Sequence, residues 1–197
     1  MVCCNFGKVL LSVSNMASNP NFVQHTDSCS DTDANTLKAQ LQLEPHPEGG
    51  YFRQLYGNDA SGKKDVSTIY YMLTGSDKSA FHRLHGVTEI WYYHAGEPLN
   101  IYVIGTDGNL AVHTLSSEGE MQVVILPEQW FAAEIPSKKG YCLVGCAVAP
   151  AFSFENFELG QKEVLVQQYP QYAELITRLT DDPRHRQYVL ALAEEAV

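Results

Sequence analysis

From Tyr51 to Val148 the chain alternates short apolar runs with polar turns. Each run holds six to eight residues, is rich in Val, Ile, Leu and Tyr, and is bounded by Gly, Asn, Asp or Ser. Runs of this length and spacing predict antiparallel β-strands in a sandwich or barrel. Asp107-Gly108, between two of them, is a strong hairpin signal because both residues tolerate positive φ. The predicted strands are Tyr51 to Tyr56, Ser67 to Leu73, Glu89 to His94, Leu99 to Ile104, Leu110 to Leu115, Met121 to Leu126 and Tyr141 to Val148.

Helical patterns flank the predicted strands on both sides. Asn35 or Thr36 can cap a short helix that ends before Pro45, because proline disfavours helical geometry in the residue ahead of it. After Phe157 the apolar spacing becomes helical in two stretches, which are separated by Tyr169-Pro170. These stretches predict two short helices packed against the β-structure.

The two ends of the chain differ from this middle part. Residues 1–34 are rich in Ser, Asn, Asp and Thr and lack a sustained apolar period, so we predict a flexible N-terminal extension. Residues 35–180 carry the strands and the flanking helices and are predicted to form one domain. Residues 181–197 are predicted to be a C-terminal tail, in which the stretch from Tyr188 to Ala196 has helix-forming residues.

Charge and cysteine content narrow the function classes and the compartment. The formal net charge of -10 disfavours nucleic acid as a partner, since a phosphate backbone would be repelled. The five cysteines form no disulfide framework, and Cys142 and Cys146 in an apolar strand are expected to be buried thiols. No apolar run has the length of a membrane span or of a signal-peptide core. We therefore expect a cytoplasmic protein without a membrane contact.

Several motifs resemble those of the cupin superfamily. The stretch from Gly75 to Glu89 is similar to the first cupin motif, and Gly119 to Pro127 with Trp130 to Ala133 lies in the place of the second. Four further blocks resemble one single-domain cupin branch: His46 to Arg53, Phe81 to Leu84, Glu89 to Trp91 and Val144 to Pro150. The resemblance implies an all-β jelly-roll barrel (double-stranded β-helix) with short flanking helices, often dimeric and related in shape to deoxysugar-nucleotide epimerases and seed storage proteins.

The histidine spacing departs from that of metal-dependent cupins, which bring two His at i and i+2, a Glu a few residues on and a third His from the second motif. Here the spacing is His82-x-x-His85, and residues three apart in a strand point to opposite faces. Ala132 stands where the resemblance places the last histidine. Because His82 and Glu89 alone remain, we predict no metal site and no cofactor.

The strand that begins at Glu89 supplies the candidate pocket. If Glu89 points inward, as the matching motif residue does, Trp91 and Tyr93 also point inward. A buried carboxylate is costly unless it is paired, which leaves two interpretations: a structural pair with His82 or an arginine, or a ligand-binding cavity. In a catalytic cavity His82 is the general base and Glu89 its orienting partner. Tyr93 is then the candidate proton donor, and the ring of Trp91 can stack on a flat ligand.

Four further residues are candidate ligand contacts. Arg53, which shares a strand face with Tyr51, can bind an anion such as a diphosphate at the pocket mouth. Arg83 is the second anion candidate because it follows His82, and the alternative interpretation of both arginines is surface charge. Trp130 is a candidate pocket wall, with core packing as its alternative.

Together these features predict a metal-independent cupin that binds a small anionic ligand, with a nucleotide or nucleotide-sugar as the best candidate. Whether it is an enzyme stays open, and an enzyme would be epimerase-like or isomerase-like. One alternative is a metal-dependent oxygenase or isomerase in which His82, His85 and Glu89 converge through a bulge, and another is a storage or scaffold barrel without a ligand. Large apolar residues on both faces of the strand Tyr51 to Tyr56 predict a homodimer.

Overall fold

Two antiparallel sheets make up most of the structure, a computed structural model that describes residues 31–57 and 65–180. Most of the predicted extension, residues 1–30, and the whole predicted tail, residues 181–197, lie outside the described residues. Within the described ranges the strands are β1 (Glu44–Pro45), β2 (Tyr51–Tyr56), β3 (Ser67–Thr74), β4 (Lys78–Leu84), β5 (Thr88–Gly96), β6 (Leu99–Ile104), β7 (Leu110–Leu115), β8 (Gln122–Ile125), β9 (Trp130–Glu134), β10 (Tyr141–Ala149) and β11 (Phe157–Leu159). The α-helices of the same ranges are α1 (Asp31–Leu41), α2 (Lys162–Gln168) and α3 (Ala173–Arg178).

The strand order confirms the predicted jelly-roll barrel with short flanking helices. One sheet has the order β1-β2-β3-β10-β5-β8 and the other β11-β4-β9-β6-β7. In the first sheet β10 pairs antiparallel with both β3 and β5, although β5 is far from β10 in sequence. In the second sheet β9 pairs with both β4 and β6. These non-local pairings bring the two cupin-like motifs together across the barrel.

Each of the seven predicted runs forms a strand, and β4 and β9 are strands that the alternation of apolar residues does not reveal. All five residues of β9 are buried, and five of the seven in β4 are buried. The reason is that this sheet is covered on both faces, so its central strands have no solvent-facing positions to create a period of two.

Two groups of apolar residues cover the two faces of the second sheet. The first group lies between the sheets and contains Trp91 and Phe131. The second lies on the outer face and contains Trp130 together with Leu165 of α2 and Ile176 of α3. The predicted pair of C-terminal helices therefore packs on the outside of the barrel. Within residues 31–57 and 65–180, no helix has both the length and the apolar character needed to cross a membrane.

The helix α1 begins at Asp31 rather than at the predicted cap, Asn35 or Thr36. The side chain of Ala34 is 2 % exposed, so the chain is already packed against the protein before the predicted start. The helix ends at Leu41, ahead of Pro45 as expected.

Candidate functional site

The strands β4 and β5 carry His82 and Glu89 into the space between the two sheets. His82 is 2 % exposed and Glu89 is 8 % exposed. Burial alternates along the start of β5, where Glu89 and Trp91 are buried and Tyr92 is exposed. Glu89 and Trp91 therefore point inward, as the period of a strand requires.

The ring of His82 carries a proton on Nδ1, and its Nε2 faces the carboxyl group of Glu48. Its Nδ1 lies 2.8 Å from the carbonyl oxygen of Ala80, which can only accept, so Nδ1 carries a proton. Burial lowers the pKa of His82 against the opposing effects of Glu89 and the Ala80 carbonyl, so the ring is neutral near pH 7. Its Nε2 lies 3.2 Å from Oε2 of Glu48, and this contact is a hydrogen bond when one proton lies between the two atoms. His82 and Glu48 are thus close enough to exchange a proton directly.

Glu48 reaches the interior from the turn between β1 and β2. Its carbonyl oxygen accepts a hydrogen bond of 2.9 Å from the backbone N–H of Ala80. Its Oε1 accepts a hydrogen bond of 3.0 Å from the hydroxyl of Ser79. The carboxyl group is therefore held from both its backbone and its side chain against β4, and it faces His82 from there.

The glycines after Glu48 make this turn possible. Gly49 has a φ of 110°, and a Cβ at that position would lie 2.0 Å from the carbonyl oxygen of Lys78. Only glycine fits such a close approach. The carbonyl of Gly49 accepts a hydrogen bond of 2.7 Å from the hydroxyl of Tyr71, which fixes the turn to the first sheet. The sequence shows two consecutive glycines here, but it does not reveal Glu48 as a carboxylate that this turn projects inward.

Glu89 has an acidity suited to proton transfer near neutral pH. Burial, the largest cause, raises its pKa to about 7, and the charge of Glu48 adds to the rise while that of His82 opposes it. The thiol of Cys146 and the indole N–H of Trp91 also oppose the rise from beside the carboxyl group. Glu89 is therefore present in both protonation states near pH 7.

His46 occupies the most exposed edge of this group, with a side chain that is 15 % exposed. Its Nδ1 accepts a hydrogen bond of 3.3 Å from the backbone N–H of Glu48. Burial lowers the pKa of His46 to about 3, and the charge of His82 acts in the same direction. The ring is therefore neutral, and its Nδ1, 3.9 Å from Oε1 of Glu48, forms no ion pair there.

Aromatic rings form a continuous wall of ring contacts from His46 to His82. The ring centroids of His46 and Tyr71 are 5.5 Å apart, and those of Tyr71 and Trp91 are 5.4 Å apart. Trp91 meets Phe131 edge to face at 6.3 Å, and Phe131 lies 4.0 Å from the ring of His82. We refer to His46, Glu48, Ser79, His82, Glu89 and Trp91 as the inner cluster.

Tyr93 lies on the inward side of β5 but directs its hydroxyl along the strand. The hydroxyl donates a hydrogen bond of 2.6 Å to the carbonyl oxygen of Gly96. The ring packs half-buried against the core between the sheets. The proton of this hydroxyl is thus engaged at the end of the hairpin, and a role as proton donor would require it to turn away from Gly96.

The structure places Arg53 and Tyr51 on the outer face of β2, which corrects the expected location at a pocket mouth. Arg53 is exposed, and its guanidinium donates a hydrogen bond of 3.2 Å to the carbonyl oxygen of Leu41 in α1. The ammonium of Lys38 lies 4.1 Å from the ring centre of Tyr51. Phe52, between the two residues, packs against the core. The shared face was predicted correctly, but it faces α1 because Phe52 takes the inward position.

Arg83 and Trp130 lie together on the outer face of the second sheet and do not line the interior. The guanidinium of Arg83 lies 2.7 Å from a carboxylate oxygen of Glu158 and 4.5 Å from the ring centre of Trp130. Arg83 faces outward because its neighbour His82 faces inward. Trp130 is 5 % exposed and packs with the helices, which matches the core-packing alternative rather than the pocket wall.

The residues that a cupin metal centre would use do not converge. His85 lies outside the barrel, with Nδ1 2.7 Å from Glu128 and Nε2 3.0 Å from Glu158. The buried Ala132 supplies no ligand. In residues 31–57 and 65–180, no group of three or more His, Cys, Asp or Glu side chains is arranged to hold a metal ion. A bulge therefore does not bring His85 inward to join His82 and Glu89.

Two open depressions of the surface lie away from the inner cluster. One lies between Gly105 and His113 on one side and Val124 on the other. The second runs along α3, from Pro170 to Arg178. No member of the inner cluster lines either depression. The inner cluster is enclosed, and His46 marks its most accessible side.

Comparisons with known proteins agree with this architecture. Residues 35–160 match a family model described as Cupin superfamily (DUF985). Protein SO0799 from Shewanella oneidensis is similar to 75 % of the chain over 97 % of its own length, with 34 % identity and a TM-score of 0.69. A hypothetical protein from Leishmania major matches 76 % of the chain over 99 % of its own length, with 28 % identity and a TM-score of 0.68.

More distant structures match the chain more weakly and carry no argument about it. A dTDP sugar isomerase from Desulfovibrio desulfuricans matches 57 % of the chain over 82 % of its own length, with 13 % identity and a TM-score of 0.45. A comparison with curated proteins gives no match. The activity must therefore be inferred from the inner cluster itself.

Proposed function

The chain belongs to the DUF985 family of the cupin superfamily, and from this premise we propose that its barrel binds a small carbonyl-bearing sugar and moves a proton beside the carbonyl without a metal. The observation that carries the proposal is the 3.2 Å contact between Nε2 of His82 and Oε2 of Glu48, with the buried carboxyl group of Glu89 beside them. A neutral imidazole base beside a carboxyl group whose pKa is raised to about 7 is what an epimerase or isomerase needs.

The proposed reaction uses these groups in two steps. When the carboxyl group of Glu48 turns away from Nε2 of His82, the lone pair of that nitrogen is available to take the proton from the carbon next to the carbonyl. The electron pair of that C–H bond moves to the carbonyl oxygen, which receives a proton from Glu89 to give an enol. Glu89 then takes the proton of the hydroxyl on the carbon that lost its hydrogen, so that this carbon becomes the new carbonyl, while His82 gives its proton to the former carbonyl carbon. The product is an isomer, both groups regain their starting protonation states, and no other reactant is consumed.

The lining of the inner cluster favours a sugar over a wholly anionic ligand. Carboxyl groups bind sugar hydroxyls, and aromatic rings pack on the apolar faces of sugar rings. Among the described residues, no Lys or Arg is buried, so a phosphate within the barrel would meet Glu48 and Glu89 without a countercharge. If the ligand is a nucleotide-sugar, its nucleotide portion lies outside the barrel, on the side marked by His46.

The proposal also covers the location and assembly of the protein. Cys142 and Cys146 are buried and are not joined in a disulfide, which suits a reducing cytoplasm. Leu55 and Tyr56 of β2 are 47 % and 54 % exposed, which leaves apolar side chains available for an isologous dimer contact. A cytoplasmic homodimer remains our prediction.

Incorporation of deuterium from the solvent tests the proposed proton transfer, and one assay serves for all candidate substrates. The protein is incubated in D2O with free ketoses and with a nucleotide-linked keto sugar, and proton NMR follows the signal of the hydrogen next to the carbonyl. We expect loss of that signal with at least one compound, and a rate about 100-fold lower in Glu89→Gln and His82→Gln, because general acid–base groups contribute on this scale.

The matched control for this experiment is Glu134→Gln, which changes a buried glutamate outside the inner cluster. We expect its exchange rate to stay within a few-fold of the unsubstituted protein. Exchange that persists in both Glu89→Gln and His82→Gln, or that a chelator abolishes, would contradict the proposal.

A further inference from the structure

Trp91 has an indole N–H that the fold leaves without an acceptor. The side chain is 0 % exposed at the middle of β5. Among the described residues, its Nε1 is the one buried side-chain nitrogen or oxygen that has no hydrogen-bond partner. Buried tryptophans usually find a partner for this group, since leaving it unpaired costs free energy comparable to a lost hydrogen bond.

Two other buried donors of the inner cluster are paired, which makes this exception informative. The hydroxyl of Ser79 donates to Glu48, and Nδ1 of His82 donates to the Ala80 carbonyl. The indole lies beside the carboxyl group of Glu89, but it makes no hydrogen bond of normal geometry with it. A packing role alone would be served by a phenylalanine or leucine, which carries no polar atom.

Neighbouring aromatic rings hold the indole of Trp91 in a fixed orientation, as the binding of a ligand by its N–H would require. Its ring is held edge to face by Tyr71 at 5.4 Å and by Phe131 at 6.3 Å, so the direction of the N–H is fixed. Phe131 in turn packs at 4.0 Å against His82. The unpaired donor therefore lies in the same wall as the base and beside the acid.

We propose that the indole N–H of Trp91 donates a hydrogen bond to the carbonyl oxygen of the ligand and so fixes the carbon next to that carbonyl in front of His82. This inference rests on the proposed function and narrows the ligand to a neutral hydroxyketone or hydroxyaldehyde. A carbonyl oxygen accepts at about 2.9 Å from such a nitrogen. As negative charge grows on that oxygen during proton removal, the same hydrogen bond becomes stronger and stabilises the transition state.

Nitrogen-15 NMR can observe this hydrogen bond directly, because the chain contains two tryptophans. The two indole N–H signals are assigned with Trp130→Phe, which removes the signal of the tryptophan under the helices. Dihydroxyacetone and D-fructose are then added to the full chain, with glycerol and D-sorbitol as matched compounds that lack the carbonyl. We expect the two ketones to move the Trp91 indole proton downfield in a saturable way, and the two polyols to leave it in place.

A substitution gives the second measurement. Trp91→Phe keeps an aromatic ring and removes the donor, so ketone affinity, followed through the ring signals of His82, should fall about 3- to 10-fold, the size of one neutral hydrogen bond. Trp130→Phe should leave that affinity unchanged. If Trp91→Phe proves unfolded, the indole shift in the unsubstituted chain decides alone.

The outcomes separate this inference from the function on which it rests. If the ketones move the His82 signals while the indole proton stays in place, Trp91 bonds to water or to nothing, and the inference is overturned while the proposed function stands. If the polyols move the indole as strongly as the ketones do, the assignment to a carbonyl is overturned. If no compound moves any signal of the inner cluster, the inference and the proposed function both fail.

Discussion

Glu89 and Glu134 are both buried glutamates, but their surroundings move their acidities in opposite directions. Glu89 is 8 % exposed and Glu134 is 4 % exposed. Burial raises the pKa of Glu89 to about 7. Burial also acts to raise the pKa of Glu134, but the hydrogen bond and charge of Lys138, the charge of Arg178 and the hydroxyl of Tyr102 outweigh it and lower that pKa.

The two pKa values differ because different charged groups lie on the two sides of the second sheet. On the outer side Arg178 donates a hydrogen bond of 2.8 Å to Glu134, and the ammonium of Lys138 contacts the same carboxylate. On the inner side Glu89 meets a neutral His82 and a second carboxyl group, that of Glu48. The outer carboxylate anchors α3 to the barrel, whereas the inner one is left able to exchange protons. Burial alone therefore does not mark a carboxylate as functional. The distinguishing feature of Glu89 is that, in the part of the chain that the structure describes, no positively charged side chain neutralises the buried carboxylate.

The largest expected effect on stability is a fall with rising pH that Glu89 contributes, whereas the lowered pKa of Glu134 acts in the opposite direction, below about pH 4.5. The folded chain keeps the proton of Glu89 up to about pH 7, whereas the unfolded chain releases it near 4.5. The unfolded state thus binds fewer protons between these values, so the free energy of unfolding falls as pH rises through this window, by up to about 3 kcal/mol. Glu89→Gln removes the titrating group and should lose this fall.

Urea unfolding at pH steps from 4 to about 8 measures this difference between the unsubstituted protein and Glu89→Gln. His46, with a pKa of about 3, acts in the opposite direction, because its stabilisation is present above its usual value of 6.5 and is lost as pH falls below it. This contribution is common to both proteins and cancels in the comparison. Parallel stability curves for the two proteins would show that Glu89 has no raised pKa.

A smaller effect is expected from the outer carboxylate. Glu134→Gln should lower the free energy of unfolding by about 1 to 2 kcal/mol at pH 7, because it weakens the charged hydrogen bonds from Arg178 and Lys138. The expected loss is small because the side chains of Arg178 and Lys138 are 52 % and 45 % exposed, so solvent screens their attraction to Glu134. A double-mutant cycle with Arg178→Met measures the coupling, and additive effects of the two substitutions would exclude an anchoring pair.

The smallest effect is expected at Arg53, on the outer face of β2. Arg53→Ala removes one exposed hydrogen bond to the Leu41 carbonyl, so the melting temperature should change by less than about 2 °C. Sugar binding in the barrel should not change, because the side chain faces α1. A clear loss of affinity for a nucleotide-sugar, but not for a free ketose, would restore Arg53 as an anion contact and place the nucleotide against this face.

The local rules of a strand were enough to predict several features of the site. The alternation along β5 correctly places Glu89 and Trp91 on one face and Tyr92 on the other. The three-residue spacing predicts that His82 and His85 point to opposite faces of the strand. His82 lies inside the barrel and His85 lies outside it. These predictions succeed because the direction of neighbouring side chains depends on backbone geometry over a few residues.

The tertiary structure alone decided which face of each strand points into the barrel. It also decided which distant residues pack against that face. The sequence establishes that Tyr51 and Arg53 share a face, but the packing of Phe52 against the core turns that face outward. Trp130 is a large apolar residue in the second motif, and the helices that cover it come from beyond residue 160. Glu48 lies 34 positions before His82 in the sequence and meets it only because a turn is fixed to β4 and β3. Such contacts depend on long-range sheet pairing, which no local period encodes.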